Sequence, residues 1–265
     1  MQLLNINNPF NAPVFHAETV SSTSDVSRNL AAEGKPHGTV ITADFQEAGR
    51  GRANRPWTAE QGKNLLFTVL LRYGEPSSIP PALTLRTGLA VSLAIEDLVP
   101  SLSGSIMVKW PNDVMMGTRK VVGILTEWDG KTAYIGVGVN VLQKDFPGEY
   151  RTKVGSLVQA CPDLGENARF DLLEKILCRL YDEIERPRLD ASREADALRE
   201  RWRERLEKRL YKRGEIVTFL PGAADSGSLV EGMLSGIGPD GELLIIPEGE
   251  KKERAFASGE LRVYS

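Results

Sequence analysis

Two cysteines and two histidines are all that this 265-residue chain has of the side chains that most often hold zinc or move protons near neutral pH. Cys161 and Cys178 sit in no CxxC or other metal-ligand spacing, and His16 and His37 are far apart with no ligand-rich surroundings. Zinc hydrolysis and Ser-His-Asp catalysis are set aside, and both histidines are expected to be structural or surface groups. With no signal peptide ahead of them, the cysteines imply a reduced, cytoplasmic setting and no disulfide framework.

An excess of one charge is also missing. Lys and Arg number 33 against 36 Asp and Glu, for a formal net charge of −3. No global positive field exists to hold the chain on nucleic acid or an anionic membrane. The longest apolar run, LLFTVLL from Leu65 to Leu71, is bounded by Lys63 and Arg72. It falls far short of the ~20 residues of a membrane helix and reads as a buried strand. There is no internal repeat, no low-complexity segment, no GxxxxGK phosphate loop and no full GxGxxG, so kinase and dinucleotide readings have little behind them.

What is present is the texture of an ordinary globular protein, 41% apolar and 26% charged, long enough for one large domain and a small one. VFHAETV (Val14 to Val20), GTVITADFQ and NLLFTVLLR read as strands, with a Ser/Thr-capped helix from about Asp25 to Glu33. A second helix is expected from about Pro81 to Leu98, with Leu85, Leu89, Leu93 and Ile95 on or near one face, and SIMVKW as its partner strand. KVVGILTEWDGKTAYIGVGVNVL reads as two strands turned at Asp129-Gly130. Helix is expected again over about Asp171 to Glu185. An amphipathic stretch from Ser192 to Lys212 follows, with Ala195, Leu198, Trp202, Leu206 and Leu210 as its apolar stripe. After Gly214 the runs EIVTFL, LVEGMLSGI, ELLIIP and ERAFAS alternate between Gly, Pro and Asp turns, as in a small β-barrel. The expectation is an α+β fold, with a mixed sheet and helices over residues 1–211 and a barrel over 212–265.

The chemistry gathers in GRGRANRPW, Gly49 to Trp57, and in KWPND with the strand after it. Glycine lets a backbone approach a ligand closely, and the forked guanidiniums of Arg50, Arg52 and Arg55 match carboxylate and phosphate oxygens. Ser22-Thr23, Gln46, Gly49-Arg50-Gly51-Arg52, Lys109 to Asp113, Lys120-Val121-Val122-Gly123-Ile124 and Gly136-Val137-Gly138-Val139-Asn140 follow one another in that order. On these motifs the chain resembles the biotin protein ligases, also called biotin–acetyl-CoA-carboxylase ligases, over nearly its whole length.

That resemblance implies a biotin/lipoyl ligase catalytic fold with an SH3-like C-terminal barrel. It also implies a reaction in which biotin and ATP give biotinyl-5′-AMP and pyrophosphate before biotin passes to one lysine of a carrier. A carboxylate attacking an anionic phosphorus ~4 Å away meets roughly 4 kcal/mol of repulsion at an effective dielectric near 20, on the order of a thousandfold in rate. By resemblance Lys120 answers it at the reacting centre, Arg50 closes over biotin, and Arg52 and Arg55 meet the phosphates. Lys109 is a third catalytic candidate. The polar, uncharged ureido head calls for Ser22, Thr23 and Gln46; without the resemblance helix capping is the better explanation of Ser22 and Thr23, and the two roles can coexist. Gly49, Gly123, Gly136 and Gly138 are expected where ligand or backbone comes close, with a bend of the sheet as the plainer reading of the strand glycines. Asn112 and Asn140 are nucleotide contacts by resemblance, and Asp113 either holds Mg²⁺ on the ATP phosphates or orients Lys120.

The chain departs from the family at Asn54, where the pattern Gly-Arg-Gly-Arg-x-Gly-Arg has a third glycine. Asn is the residue next most tolerant of the left-handed region. The loop's second expected task is to keep water from the mixed anhydride, so Arg52→Gly is expected to weaken retention of biotinyl-AMP. The implied partner is the biotin carboxyl carrier protein of acetyl-CoA carboxylase, and the resemblance implies a homodimer. About fourteen residues precede the first strand, too few for the DNA-binding domain that some of these ligases carry, so no specific DNA binding is expected. The competing readings are a lipoate or octanoate protein ligase and a non-catalytic biotin or adenylate binder.

Overall fold

The structure is a computed structural model and describes residues 1–189, 201–222 and 228–262. Eight strands form one mixed sheet: β1 Gln2–Leu3, β2 Val14–Val20, β3 Thr39–Gln46, β4 Leu65–Arg72, β5 Ile106–Lys109, β6 Asp113–Met116, β7 Arg119–Trp128 and β8 Thr132–Val139. Their spatial order is β1-β2-β3-β4-β8-β7-β6-β5. Only β2 and β3 run parallel, joined by helix α1 (Thr23–Ala32). The two-residue β1 and the four-residue β6 had no counterpart in the sequence reading.

Local chemistry sets the ends of these elements. Helix α1 begins two residues earlier than expected because Ser22 Oγ caps it, accepting from Ser24 N–H at 3.3 Å. It closes in a Schellman arrangement, with Gly34 left-handed at φ +79°, Gly34 N–H donating to Ala31 O and Lys35 N–H to Leu30 O. The β7–β8 turn falls at Asp129-Gly130 as read, its Asp129 Oδ1 accepting from Lys131 and Thr132 N–H.

Helix α2 (Leu83–Leu98) differs from its expected single apolar face: it is buried nearly all round. Ala90, Val91, Ala94 and Ile95 join the main core against the large sheet and helix α3 (Ala168–Leu180). Leu85 and Leu89 join a second core with Val108, Trp110, Trp202, Leu206, Phe219 and Leu261. The stretch Pro76–Leu98 has the length and apolarity of a membrane helix, and 61% of its most apolar window lies buried inside the fold, as in a core helix. Helix α3 starts slightly before the expected helix and runs into a π-helical turn, Tyr181–Glu185, and a short helix, Arg186–Leu189. Of the expected amphipathic stretch, Ala195 and Leu198 lie outside the described residues. Residues 201–207 are helical, and Trp202, Leu206 and Leu210 are buried.

The C-terminal residues form a five-stranded antiparallel sheet from β9 Ile216–Pro221, β10 Val230–Ile237, β11 Leu243–Pro247, β12 Arg254–Phe256 and β13 Gly259–Arg262, in the order β12-β11-β10-β9-β13. Both histidines are structural, His16 pairing with Asp44 and His37 with Glu185, each at 3.3 Å, and both cysteines are free thiols.

Candidate active site

A cavity of about 880 Å³ opens on one face of the large sheet, between the Gly49–Trp57 loop, the KWPND segment and β13. Its floor comes from strand periodicity. Gly136, Gly138 and Asn140 alternate along the β8 strand path and all line the cavity. On β7 the pairs Val114↔Val122 and Met115↔Lys120 skip Val121, a β-bulge. Lys120 and Gly123, three apart, would face opposite sides of a regular strand; the bulge turns both toward the cavity.

The strand glycines are there for close approach. A Cβ on Gly138 would lie 2.5 Å from the Trp57 ring, and one on Gly123 would lie 2.6 Å from the same ring. Trp57 therefore lies flat on the glycine floor, with Lys120 Nζ 5.5 Å from a ring centroid, within cation–π range. The Trp57 Nε1–H is buried and has no hydrogen-bond partner among the described residues. Trp57 is not among the residues that the sequence motifs single out, although its place just after the arginine loop is a signal for it.

At one end the walls are neutral and hydrogen-bonded. Gln46 Oε1 accepts from Thr23 N–H at 2.8 Å and from Thr23 Oγ1 at 3.0 Å, and Thr68 Oγ1 donates to Thr23 Oγ1 at 2.9 Å. Ser22, Thr23 and Ser24 are all buried at the α1 N-terminus. Ser22 caps the helix, and Ser22 and Thr23 line the cavity.

The other end is charged. Lys120 Nζ stands 2.7 Å from Asp113 Oδ1, an ion pair off hydrogen-bond alignment. Lys109 is buried and donates to Thr152 Oγ1 at 3.3 Å; burial lowers its pKa, with Lys120 adding to that effect and Asp113 opposing it. Arg50 grips Asp25 of α1 through two bonds, at 3.0 and 2.5 Å, and that hydrogen-bonded guanidinium holds the Asp25 carboxyl below the usual range. Arg55 Nη2 donates to Glu260 Oε2 at 2.8 Å and Arg151 Nη1 reaches the same oxygen at 3.2 Å. Burial pushes the Glu260 carboxyl up, but the Arg55 bond and the charges of Arg55, Arg151 and Lys109 bring it net below the ordinary value. Arg52 makes long contacts, 3.4 Å to Asn112 Oδ1 and 3.5 Å to Gly259 O.

Two asparagines expected at the nucleotide also brace the walls. Asn112 Nδ2 donates to Ile124 O at 2.8 Å, and Asn140 Nδ2 to Gly155 O at 3.0 Å. In the arginine loop Gly51 N–H donates to Arg55 O and Trp57 N–H to Gly49 O, and Gly49 has no room for a Cβ, which would lie 2.6 Å from Trp57 O. Asn54 takes the left-handed conformation, φ 56°, as its place in the pattern required, and Ala53 takes it too, at φ 54°. The structure thus brings the sequence-predicted site residues other than Gly49 to one cavity, with Gly49 packed behind it against Trp57 and Gln46, and adds Trp57, Thr68, Asp25, Arg151 and Glu260 to the arrangement.

Residues 16–140 match the model of a family described as the biotin/lipoate A/B protein ligases. The bifunctional ligase/repressor BirA of Bacillus subtilis is 37% identical over 154 residues, 56% of this chain and 46% of that protein. The biotin–(acetyl-CoA-carboxylase) ligase of Mycobacterium tuberculosis is 34% identical over 151 residues, 56% of each. The chain thus spans about half the length of the curated relatives it matches. Among solved structures, the biotin protein ligase of Aquifex aeolicus in complex with biotin and ATP superposes with a TM-score of 0.74 at 26% identity, over 94% of this chain and 98% of that one. The family segment ends at Asn140, whereas the structural match takes in the C-terminal sheet as well.

Proposed function

We propose that this chain activates biotin with ATP to biotinyl-5′-AMP and passes the biotin to one lysine of a biotin carboxyl carrier protein of acetyl-CoA carboxylase. One observation carries the reading: a single cavity runs from a neutral, hydrogen-bonded end through a glycine floor to a lysine, and on to a cluster of arginines. A polar uncharged head, a slim apolar body, a carboxylate and a polyphosphate fit that sequence of surfaces in order. The curated relatives and the Aquifex complex support it.

In this reading Ser22, Thr23 and Gln46 take the ureido head, and Gly49, Gly123, Gly136, Gly138 and Trp57 confine the body of biotin. Arg50 and Lys120 stand at the carboxylate. Lys120 cancels charge where the carboxylate meets the α-phosphate, with Lys109 behind it, and Trp57 Nε1–H offers a donor to an incoming acceptor. Arg52, Arg55, Asn112, Asp113 and Asn140 form the nucleotide end. Among the described residues no group of three or more His, Cys, Asp or Glu side chains could hold a metal. A Mg²⁺ that shields phosphate charge would therefore arrive on ATP and be met by Asp113 at most, which suits the preference of Mg²⁺ for phosphates with one or two carboxylates.

We place the division of labour at 211/212, with chemistry on residues 1–211 and the barrel at 212–265 closing the nucleotide end. A cytoplasmic setting and a homodimer belong to the same reading. Its test is transfer: with ATP, biotin and a carrier domain, intact-mass analysis should show one biotin on one lysine, abolished by replacing that lysine. Modification of many lysines, or of none, contradicts it.

A further inference from the structure

Four cations of the cavity rest on carboxylates of the chain itself: Arg50 on Asp25, Lys120 on Asp113, and Arg55 with Arg151 on Glu260. The third set differs from the others. Its carboxylate comes from the C-terminal sheet, and it joins two guanidiniums from separate wall segments, the arginine loop and residues 146–152. We propose that Glu260 occupies the place of a nucleotide phosphate group and acts as a displaceable placeholder that sets nucleotide affinity, an inference that rests on the reading of the site given above.

Three observations carry it. A carboxylate and a phosphate offer a forked guanidinium the same pair of oxygens, and Glu260 offers both: Oε2 to Arg55 Nη2 and Arg151 Nη1, Oε1 to Arg55 Nη1 at 3.4 Å. The backbone of Glu260 is fixed. Leu261, next along the strand, is anchored in the second core at the cavity's edge, and the half-buried Glu260 side chain reaches the two guanidiniums at the cavity wall. Gly259 packs so closely that a Cβ would lie 2.3 Å from the Phe219 ring. Only the side chain is left to move. Finally, the surrounding guanidiniums keep the carboxyl ionised at neutral pH, so an arriving polyphosphate must take two guanidiniums from an anion that also repels it.

The test compares Glu260→Gln with wild type for inorganic pyrophosphate and ATP by calorimetry, and for ATP–pyrophosphate exchange. Pyrophosphate and ATP should bind at least about threefold tighter to the Gln variant, with the KM for ATP falling and the KM for biotin unmoved. Glu260→Asp, which keeps the charge, should return the wild-type KM for ATP. Arg151→Ala checks the same site without touching the sheet and should weaken pyrophosphate binding by about threefold or more. Equal or weaker binding to the Gln variant, no effect of Arg151→Ala, or no pyrophosphate binding to any of the proteins would overturn the placeholder. If wild type shows no exchange with any acid while the Gln variant still tightens on pyrophosphate, the biotin-ligase reading falls and the placeholder stands.

Discussion

The two ends of the cavity are built on opposite plans. At the Thr23–Gln46–Thr68 end the polar groups are buried or half-buried, neutral and bonded to one another within the protein, so their directions are set before any ligand arrives. At the other end the groups are charged, and Arg50, Lys120 and Arg55 are parked on carboxylates drawn from α1, β6 and β13. The first plan recognises a shape at little ordering cost, and the second holds charge in reserve for a reactant that brings its own. On the proposed function, selectivity for the acid and power over the phosphate would be separable properties of one pocket.

Breaking the charged end should cost most. Lys120→Ala is expected to lower biotin-dependent ATP–pyrophosphate exchange by about a thousandfold, the scale of the repulsion it cancels, while biotin binding by calorimetry changes far less. A loss under about tenfold would place the neutralising charge elsewhere.

Next comes the floor between the two ends. Gly138→Val puts side-chain atoms into the Trp57 ring, where a Cβ alone would stand 2.5 Å away, and overpacking of this kind costs about 1–3 kcal/mol. The expected result is biotin affinity reduced by about tenfold or more with the far-ultraviolet circular dichroism of the wild type; unchanged affinity would mean that biotin does not use this floor.

At the neutral end, Thr23→Val removes the hydroxyl that relays Thr68 to Gln46 while keeping shape and backbone N–H. About 1–2 kcal/mol of biotin binding should go, read as a higher KM for biotin with the KM for ATP unmoved. A rise in the KM for ATP instead would erase the distinction between the ends.

The smallest effect belongs to Asp25→Asn. The Arg50 hydrogen bond depresses the Asp25 carboxyl, so its contribution to stability is complete above the unfolded carboxylate pKa and is lost as pH falls through the lower folded value. The pair is partly exposed, which limits it to about 0.2–1 kcal/mol. Denaturant titrations of wild type and variant should differ by that amount at pH 7 and converge in acid; a difference that grows in acid would contradict the assignment.

The residues of the neutral end and the floor were named in the sequence through the family resemblance, since position alone marks Ser22-Thr23 as a helix cap and the spaced glycines as a bend in the sheet. The charged end was legible only in its cations. Glu260 is 205 residues from Arg55 and Asp25 is 25 from Arg50, and no local pattern links either pair. Strand β6 escaped because DVMM is four residues long and shows no alternation, and with it went the bulge that turns Lys120 and Gly123 to one face. Periodicity gives helix α2 a single apolar face because it reports that a face is buried, not how many neighbours cover it; here two cores do.

The central claim is that one cavity joins biotin to ATP. ATP–pyrophosphate exchange by the purified chain, with biotin, lipoate and octanoate offered in turn as the acid, tests it most directly. Exchange with biotin alone is the predicted result. Exchange with lipoate or octanoate in its place would assign the pocket to the other branch of the family, and none with any acid would leave a binding protein without the chemistry.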